Sequence, residues 1–91
     1  MEISRQLLAE QLIRTITRDT LAGRRSELEA LVKSTGVRRA DVRSVLSALH
    51  REGYLDVLRM KLTLAGFALG CSLIDAPVPA IRRALRRSIA A

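Results

Sequence analysis

Residues 31–55, LVKSTGVRRADVRSVLSALHREGYL, determine the fold more than any other part of the chain. They predict a short helix over residues 27–34, a turn at Gly36 and a longer helix over residues 39–51. The longer helix has one apolar stripe at helical spacing, formed by Val42, Val45, Leu46 and Leu49. Its opposite face is polar and basic, so we expect that face to point away from the core.

The segments on either side predict further elements. An amphipathic helix covers residues 2–21 and ends at Gly23, and the spacing of Ser26 and Glu29 predicts a capping box for the short helix. After Gly53, which ends the longer helix, residues 54–58 and 61–64 predict a β-hairpin turning at Arg59-Met60, although the turn contains no glycine. Residues 65–74 fit a short buried helix or a turn, and a last helix is predicted over residues 80–90. The expected fold class is mainly α with a small β-hairpin.

A short helix, a glycine-containing turn and a longer helix with a polar outer face form a helix-turn-helix. The second helix of such a motif is sized to lie in the major groove, where its N-terminal residues reach base edges. Arginine suits this position because its guanidinium pairs with guanine and with phosphate. The candidate DNA-contacting residues are Arg38, Arg39, Arg43, Ser44, Ser47, Arg51, Arg59 and Lys61. We expect the first three to carry recognition and the last three to hold phosphates, whereas the two serines contact phosphates or are simply solvated.

Residues 26–70 resemble the winged helix-turn-helix transcription regulators, most closely the GntR-like and MarR-like domains. The resemblance rests on the Gly36-Val37 turn, the helix start from Arg39 to Arg43, and residues 51–55, REGYL, which enter the wing. The segment from Leu62 to Gly66 looks like the return strand and following turn of that family. The resemblance implies a winged helix-turn-helix with additional N- and C-terminal helices, in which Arg39 and Arg43 contact DNA.

Two departures from that family stand out. The wing is very short, which weakens a groove-reading role for it. Arg38 replaces the small polar residue that usually caps the recognition helix, so the start of this helix is less well capped. We expect no effector-binding domain, so the resemblance does not carry ligand regulation over to this chain.

The charge distribution agrees with a polyanionic partner. The chain has 91 residues, a length that suits one domain with a small core. Its formal net charge is +7. Seven basic and four acidic residues lie in residues 24–53, and residues 78–91 add four arginines without an acid. Concentrated positive charge attracts phosphate backbones by releasing their counterions. We therefore divide the chain into a DNA-binding domain, residues 1–76, and a basic C-terminal helix for packing or dimerisation, residues 77–91.

Several other classes of function lack their residue patterns. No carboxylate pair, nucleophile–base set or phosphate-cradling glycine loop indicates an enzyme, and we expect no cofactor, no metal and no small-molecule effector. Cys71 is alone and lies in an apolar stretch, which is typical of a small core side chain rather than a redox sensor. The amino-terminal residues do not have the pattern of a secretory signal, and the longest nearly uncharged run is too short for a membrane span. We expect a cytoplasmic, nucleoid-associated protein.

The expected partners are double-stranded DNA and a second copy of the chain. The first helix has more apolar positions than a three-helix core of this size needs, which favours a homodimer formed through the first and last helices. Two alternatives remain open: a sequence-tolerant architectural DNA-binding protein, and a winged-helix protein–protein interaction module.

Two further polar residues lie near the candidate site. Thr63 is either a phosphate contact or solvated, and His50 is expected to be a surface residue rather than a catalyst.

Overall fold

The computed structural model describes residues 4–74, which form four α-helices and one two-stranded hairpin. The elements are α1 (Arg5–Leu21), α2 (Leu28–Thr35), α3 (Arg39–Arg51), β1 (Leu55–Asp56), β2 (Lys61–Leu62) and α4 (Leu64–Ile74). The strands are antiparallel, and Leu55 pairs with Leu62. This part of the chain is mainly α with a small β-hairpin, as the sequence predicts. The predicted helix over residues 80–90 lies outside the described residues.

Helix α1 contacts the other three helices and the second strand. Its N-cap is Ser4, whose hydroxyl accepts a hydrogen bond from the Leu7 backbone N–H at 3.0 Å. The chain leaves the helix through Gly23, which has a φ of +72°, a value that glycine adopts without the strain other residues incur. The side chains that α1 buries are Leu8, Leu12, Ile13, Ile16 and Thr17.

The turn at Gly36 separates helices α2 and α3, as predicted. Gly36 ends α2 in the left-handed region with a φ of +67°, and α3 has the bounds expected from the sequence. Helix α2 begins one residue later than expected, at Leu28, and buries Leu31. The predicted stripe of α3 is confirmed, because its buried residues are Val42, Val45, Leu46 and Leu49.

The predicted capping box at Ser26 and Glu29 is wrong. The N-cap of α2 is Glu27, which makes no side-chain capping bond. The hydroxyl of Ser26 is buried and donates to Oδ2 of Asp19 at 2.9 Å, and Glu29 forms an ion pair with Arg39. The partners of both side chains lie outside the segment from Ser26 to Glu29, so the spacing of these two residues does not predict them.

The hairpin turn is organised by Asp56 rather than by a glycine. Oδ1 of Asp56 accepts hydrogen bonds from the backbone N–H groups of Leu58 at 3.1 Å and Arg59 at 3.4 Å. This is the Asx geometry that lets an aspartate replace the usual turn residues. Met60 completes the turn with a φ of +52°. The strands have two residues each and are shorter than the predicted segments.

The return strand and following turn expected over residues 62–66 are shorter than the resemblance implies, because β2 ends at Leu62 and α4 already begins at Leu64. Thr63 caps this helix: its hydroxyl accepts from the Gly66 N–H at 3.1 Å and donates to the Gly53 carbonyl at 2.6 Å. Thr63 therefore has a structural role, and its hydroxyl is not free for a phosphate. The remaining apolar stretch, residues 65–74, takes the helical of the two conformations that its sequence fits.

Helix α4 covers apolar surface of α1 that the sequence led us to assign to a second subunit. Gly70 lies against Thr17 and Ile13, and Phe67 and Cys71 form a small second cluster that packs on Leu21. Burial raises the pKa of the Cys71 thiol, as expected for a core side chain. In the described part of the chain, the large apolar side chains left exposed are Leu7, Leu58, Leu64 and Leu69. Within residues 4–74, no helix combines the length and apolarity needed to cross a membrane.

Candidate nucleic-acid interface

The surface of α3 outside its buried stripe carries five of the eight predicted side chains. All five are exposed, and together they are named the α3 face: Arg39, Arg43, Ser44, Ser47 and Arg51. In a helix with 3.6 residues per turn, residues four positions apart lie near one another, so Arg39, Arg43 and Ser47 follow one another along the helix. Ala40 is also exposed on α3, and its methyl group adds little bulk to this surface.

Two guanidinium groups at the start of α3 are held by acids. Arg39 pairs with Glu29 of α2, and Nε of Arg38 lies 3.3 Å from Oδ2 of Asp41. Arg38 is the N-cap residue and makes no side-chain capping bond, as its replacement of a small polar residue predicts. Both pairs are exposed, and exposed pairs contribute at most about 1 kcal/mol, so a phosphate competes with them easily.

The remaining arginines of the α3 face have no carboxylate partner among the described residues. No carboxylate of residues 4–74 lies within ion-pair distance of Arg43 or Arg51. Their positive charge is therefore not offset locally. Among the three predicted recognition residues, Arg43 is the one that is exposed and has no carboxylate partner within residues 4–74.

Helix α1 adds an arginine that sequence reasoning missed. Nη1 of Arg5 donates to Oγ of Ser44 at 3.2 Å, so a side chain 39 positions earlier in the sequence borders the α3 face. This bond also gives Ser44 a partner within the protein. No local pattern predicts the contact, because it depends on how α1 packs across α3.

His50 joins α3 to the hairpin. Its Nδ1 lies 3.1 Å from the carbonyl oxygen of Leu55 and 3.2 Å from the backbone nitrogen of Val57. In one tautomer the ring nitrogen donates to the carbonyl, and in the other it accepts from the Val57 N–H. The imidazole is exposed, as expected for a surface residue, but it also fixes the hairpin relative to the end of α3.

Replacing His50 with alanine is expected to loosen the hairpin. The variant loses one side chain–backbone bond, which corresponds to about 0.5–1.5 kcal/mol of stability. Backbone amides of residues 57–61 should exchange with deuterium faster than in the wild type, while those of α1 keep their rates. Ser47→Ala, an exposed change on the same helix, is the matched control. Equal exchange of the hairpin amides in all three proteins would show that His50 does not hold it.

The two predicted residues of the hairpin line a different surface. Arg59 and Lys61 border a half-open cleft between the hairpin and the α1–α2 linker, together with Arg24 and Arg25. We name this the hairpin cleft, and no residue of α3 lines it. Its other lining residues are Thr20, Gly23, Ser26, Asp56, Leu58, Met60, Leu62, Thr63 and Phe67. The structure thus separates the candidate residues into two cationic surfaces.

The described residues hold no group of three or more His, Cys, Asp or Glu side chains placed to bind a metal ion. The predicted site residues supply cationic and hydroxyl groups on exposed surfaces, which suits binding of an anion. In comparisons with known proteins, no family model, no curated protein and no solved structure matches this chain.

Proposed function

We propose that this protein binds double-stranded DNA as a small transcriptional regulator of the winged helix-turn-helix type. The observation that carries the proposal is the α3 face, an exposed helix surface on which arginines alternate with small side chains. Arg43 and Arg51 have no carboxylate partner in residues 4–74, and Arg38 and Arg39 have only exposed ones. Such a surface suits an anionic partner of extended form better than a neutral protein surface.

The dimensions of α3 support insertion into the major groove. The helix has 13 residues and is about 20 Å long, and the major groove is about 12 Å wide. Ala40, Ser44 and Ser47 are small and exposed, which permits the helix backbone to approach the bases. Arg39 and Arg43, at the N-terminal end, then reach base edges or the flanking phosphates.

The hairpin takes the place of the wing. His50 holds it to the end of α3, and Arg59 and Lys61 form with the hairpin cleft a second cationic surface, separate from the α3 face. Strands of two residues give it little surface for reading a groove, so we assign it phosphate contacts.

A homodimer remains part of the proposal, because helix-turn-helix regulators commonly bind two half-sites. Since α4 covers much of α1, the exposed Leu64 and Leu69 of α4 are the better candidates for the described part of the interface. Light scattering at high protein concentration tests this, and a mass equal to that of the monomer would exclude the dimer.

An architectural DNA-binding protein is the second candidate. The observation that favours it is the group of four arginines without an acid in residues 78–91. Deleting these residues separates the two functions. A regulator lacking them keeps its preferred site with reduced affinity, whereas an architectural protein loses most of its binding to all sequences.

The function is tested by fluorescence anisotropy with a labelled duplex between about 50 and 200 mM salt. We expect log affinity to fall linearly with log salt, with a slope of about −0.9 per phosphate contacted. A site selected from a random pool should then resist a random-sequence competitor if the protein is a regulator. Equal competition by all sequences favours the architectural function, and the absence of binding at the lowest salt excludes both.

A further inference from the structure

We propose that the hairpin cleft binds a small organic anion, a molecule with one acidic group and an apolar body. The cleft has a volume of about 890 Å³, which is within the roughly 300–1,000 Å³ typical of ligand pockets. The site rests on the cleft alone. Only its effect on DNA binding rests on the proposed function.

The rim of the cleft is cationic on two sides. Arg24 and Arg25 approach from the α1–α2 linker, and Arg59 and Lys61 approach from the hairpin. These two segments are more than thirty positions apart in the sequence, so the fold itself brings the four cations together. Local acids offset part of this charge. Nη2 of Arg24 lies 3.5 Å from Oδ1 of Asp19, and Nε of Arg59 lies 3.8 Å from Oδ2 of Asp56.

Arg25 and Lys61 are the cations that remain for a ligand. Both are exposed, and within residues 4–74 neither has a carboxylate at ion-pair distance. One lines the cleft from the α1–α2 linker and the other from the hairpin. A carboxylate or phosphate between them gains charge-assisted hydrogen bonds from both sides, which are about twice as strong as neutral ones.

Part of the cleft lining is apolar. Met60 and Leu62 are half-buried, and Phe67, which packs against Leu62, is almost fully buried. Met60 is held in a positive-φ conformation by the turn, and its flexible thioether adapts to ligands of different form. A bare phosphate leaves this apolar part unused, whereas a ring or acyl chain covers it. This feature distinguishes the cleft from a surface that only follows a nucleic-acid backbone.

Occupation of the cleft has a consequence for DNA binding. Arg59 and Lys61 belong both to the cleft and to the proposed phosphate contacts of the hairpin. A bound anion neutralises them and occupies the space in front of them. An organic anion therefore acts as an antagonist of duplex binding, and the chain needs no separate effector domain for this.

The site is tested by ¹⁵N-resolved NMR titration of the full chain with three probes at constant ionic strength. Phenyl phosphate has both an acidic group and a ring, inorganic phosphate has only the charge, and benzyl alcohol has only the ring. We expect phenyl phosphate to shift the amides of residues 23–26 and 57–63, with half-saturation at a concentration at least tenfold lower than for either control probe. Equal potency of inorganic phosphate, or shifts spread over the whole chain, would overturn the proposal.

Two double variants locate the site. Arg25→Ala with Lys61→Ala removes the two unpaired cations and should weaken phenyl phosphate binding at least tenfold. Arg18→Ala with Lys33→Ala makes the same charge change on exposed helix surfaces outside the cleft and should alter binding less than twofold. All four substituted side chains are exposed, and the NMR spectra report directly whether each variant is folded. Equal weakening by both double variants would show that only net charge matters.

The antagonist effect is measured separately by duplex anisotropy. Phenyl phosphate at saturation should weaken duplex binding at least fivefold in the wild type, and Arg25→Ala should reduce this effect. Unchanged duplex affinity at saturation would exclude antagonism. If the protein binds no duplex, the proposed function fails, and the NMR titration still decides whether the cleft is a binding site.

Discussion

Replacing Gly70 with alanine is expected to destabilise the protein by about 2–3 kcal/mol, near the upper end of the range for overpacked cores. In an ordinary helix this substitution has the opposite sign and stabilises by about 1 kcal/mol, because glycine is a poor helix former. The inversion arises from the contact between α4 and α1. A methyl group at Gly70 would overlap the Thr17 hydroxyl and lie 2.9 Å from the Thr17 Cβ.

Thr17 cannot easily move out of the way. Its side chain is fully buried, and its hydroxyl donates to the Ile13 carbonyl at 2.7 Å. The methyl of Gly70→Ala would also lie 3.2 Å from Cγ2 of Ile13. The two helices must therefore separate, which exposes apolar surface between them, or Thr17 must break its hydrogen bond.

Urea denaturation of three further variants checks the cause. Ala68→Gly exchanges the same two residue types at an exposed position of α4 and should cost only about 1 kcal/mol through helix propensity. Thr17→Ala alone is the reference for the double variant Gly70→Ala with Thr17→Ala. The double variant should be more stable than Gly70→Ala, because the overlapping oxygen is gone. A Gly70→Ala protein as stable as the wild type would contradict the close packing of α1 and α4.

The sequence predicts α3 well because local physics determines it. Its apolar residues recur at helical spacing, and Gly36 and Gly53 interrupt the chain just outside it, each with a positive φ. Helix α4 is different, because its own residues are apolar in nearly every position and form no single stripe. Its sequence therefore fits a helix or a turn equally. Its conformation depends on packing against α1, where Gly70 permits the close approach.

The candidate site divides in the same way. The α3 face follows from periodicity alone, since residues opposite a buried stripe must be exposed. The ion pair between Arg39 and Glu29, the bond between Arg5 and Ser44, and the hairpin cleft all join segments distant in sequence. The adjacent pair Arg24-Arg25 is visible in the sequence, but only the fold brings it to the cleft that Lys61 also lines.

Reversing the charge of Arg43 is expected to reduce duplex affinity by about 100-fold or more. The change Arg43→Glu removes a contact of about 1–3 kcal/mol, if the arginine pairs with a base, and places a carboxylate against the DNA phosphates. Because Arg43 has no carboxylate partner in residues 4–74, the substitution breaks no ion pair that the structure describes. The fold should therefore remain intact, and duplex anisotropy reports the binding face directly.

Arg18→Glu is the matched control. It makes the same change in net charge at an exposed position of α1, thirteen residues along the helix from Arg5, or about 20 Å. Arg5 borders the α3 face, so Arg18 lies far from it along α1. We expect this control to weaken binding by less than tenfold through general electrostatics. Equal losses in Arg43→Glu and Arg18→Glu would show that α3 is not the DNA-binding surface.

The neutral variant Arg43→Ala then distinguishes the two kinds of contact that arginine makes with DNA. If Arg43 pairs with a phosphate, affinity falls equally for all sequences, and the slope of log affinity against log salt becomes shallower by about 0.9. If Arg43 pairs with a base, the slope keeps its value, and the preference for the selected site over random duplex decreases. The exposed position of Arg43 near the N-terminal end of α3, where base contacts concentrate in this type of motif, favours the second result.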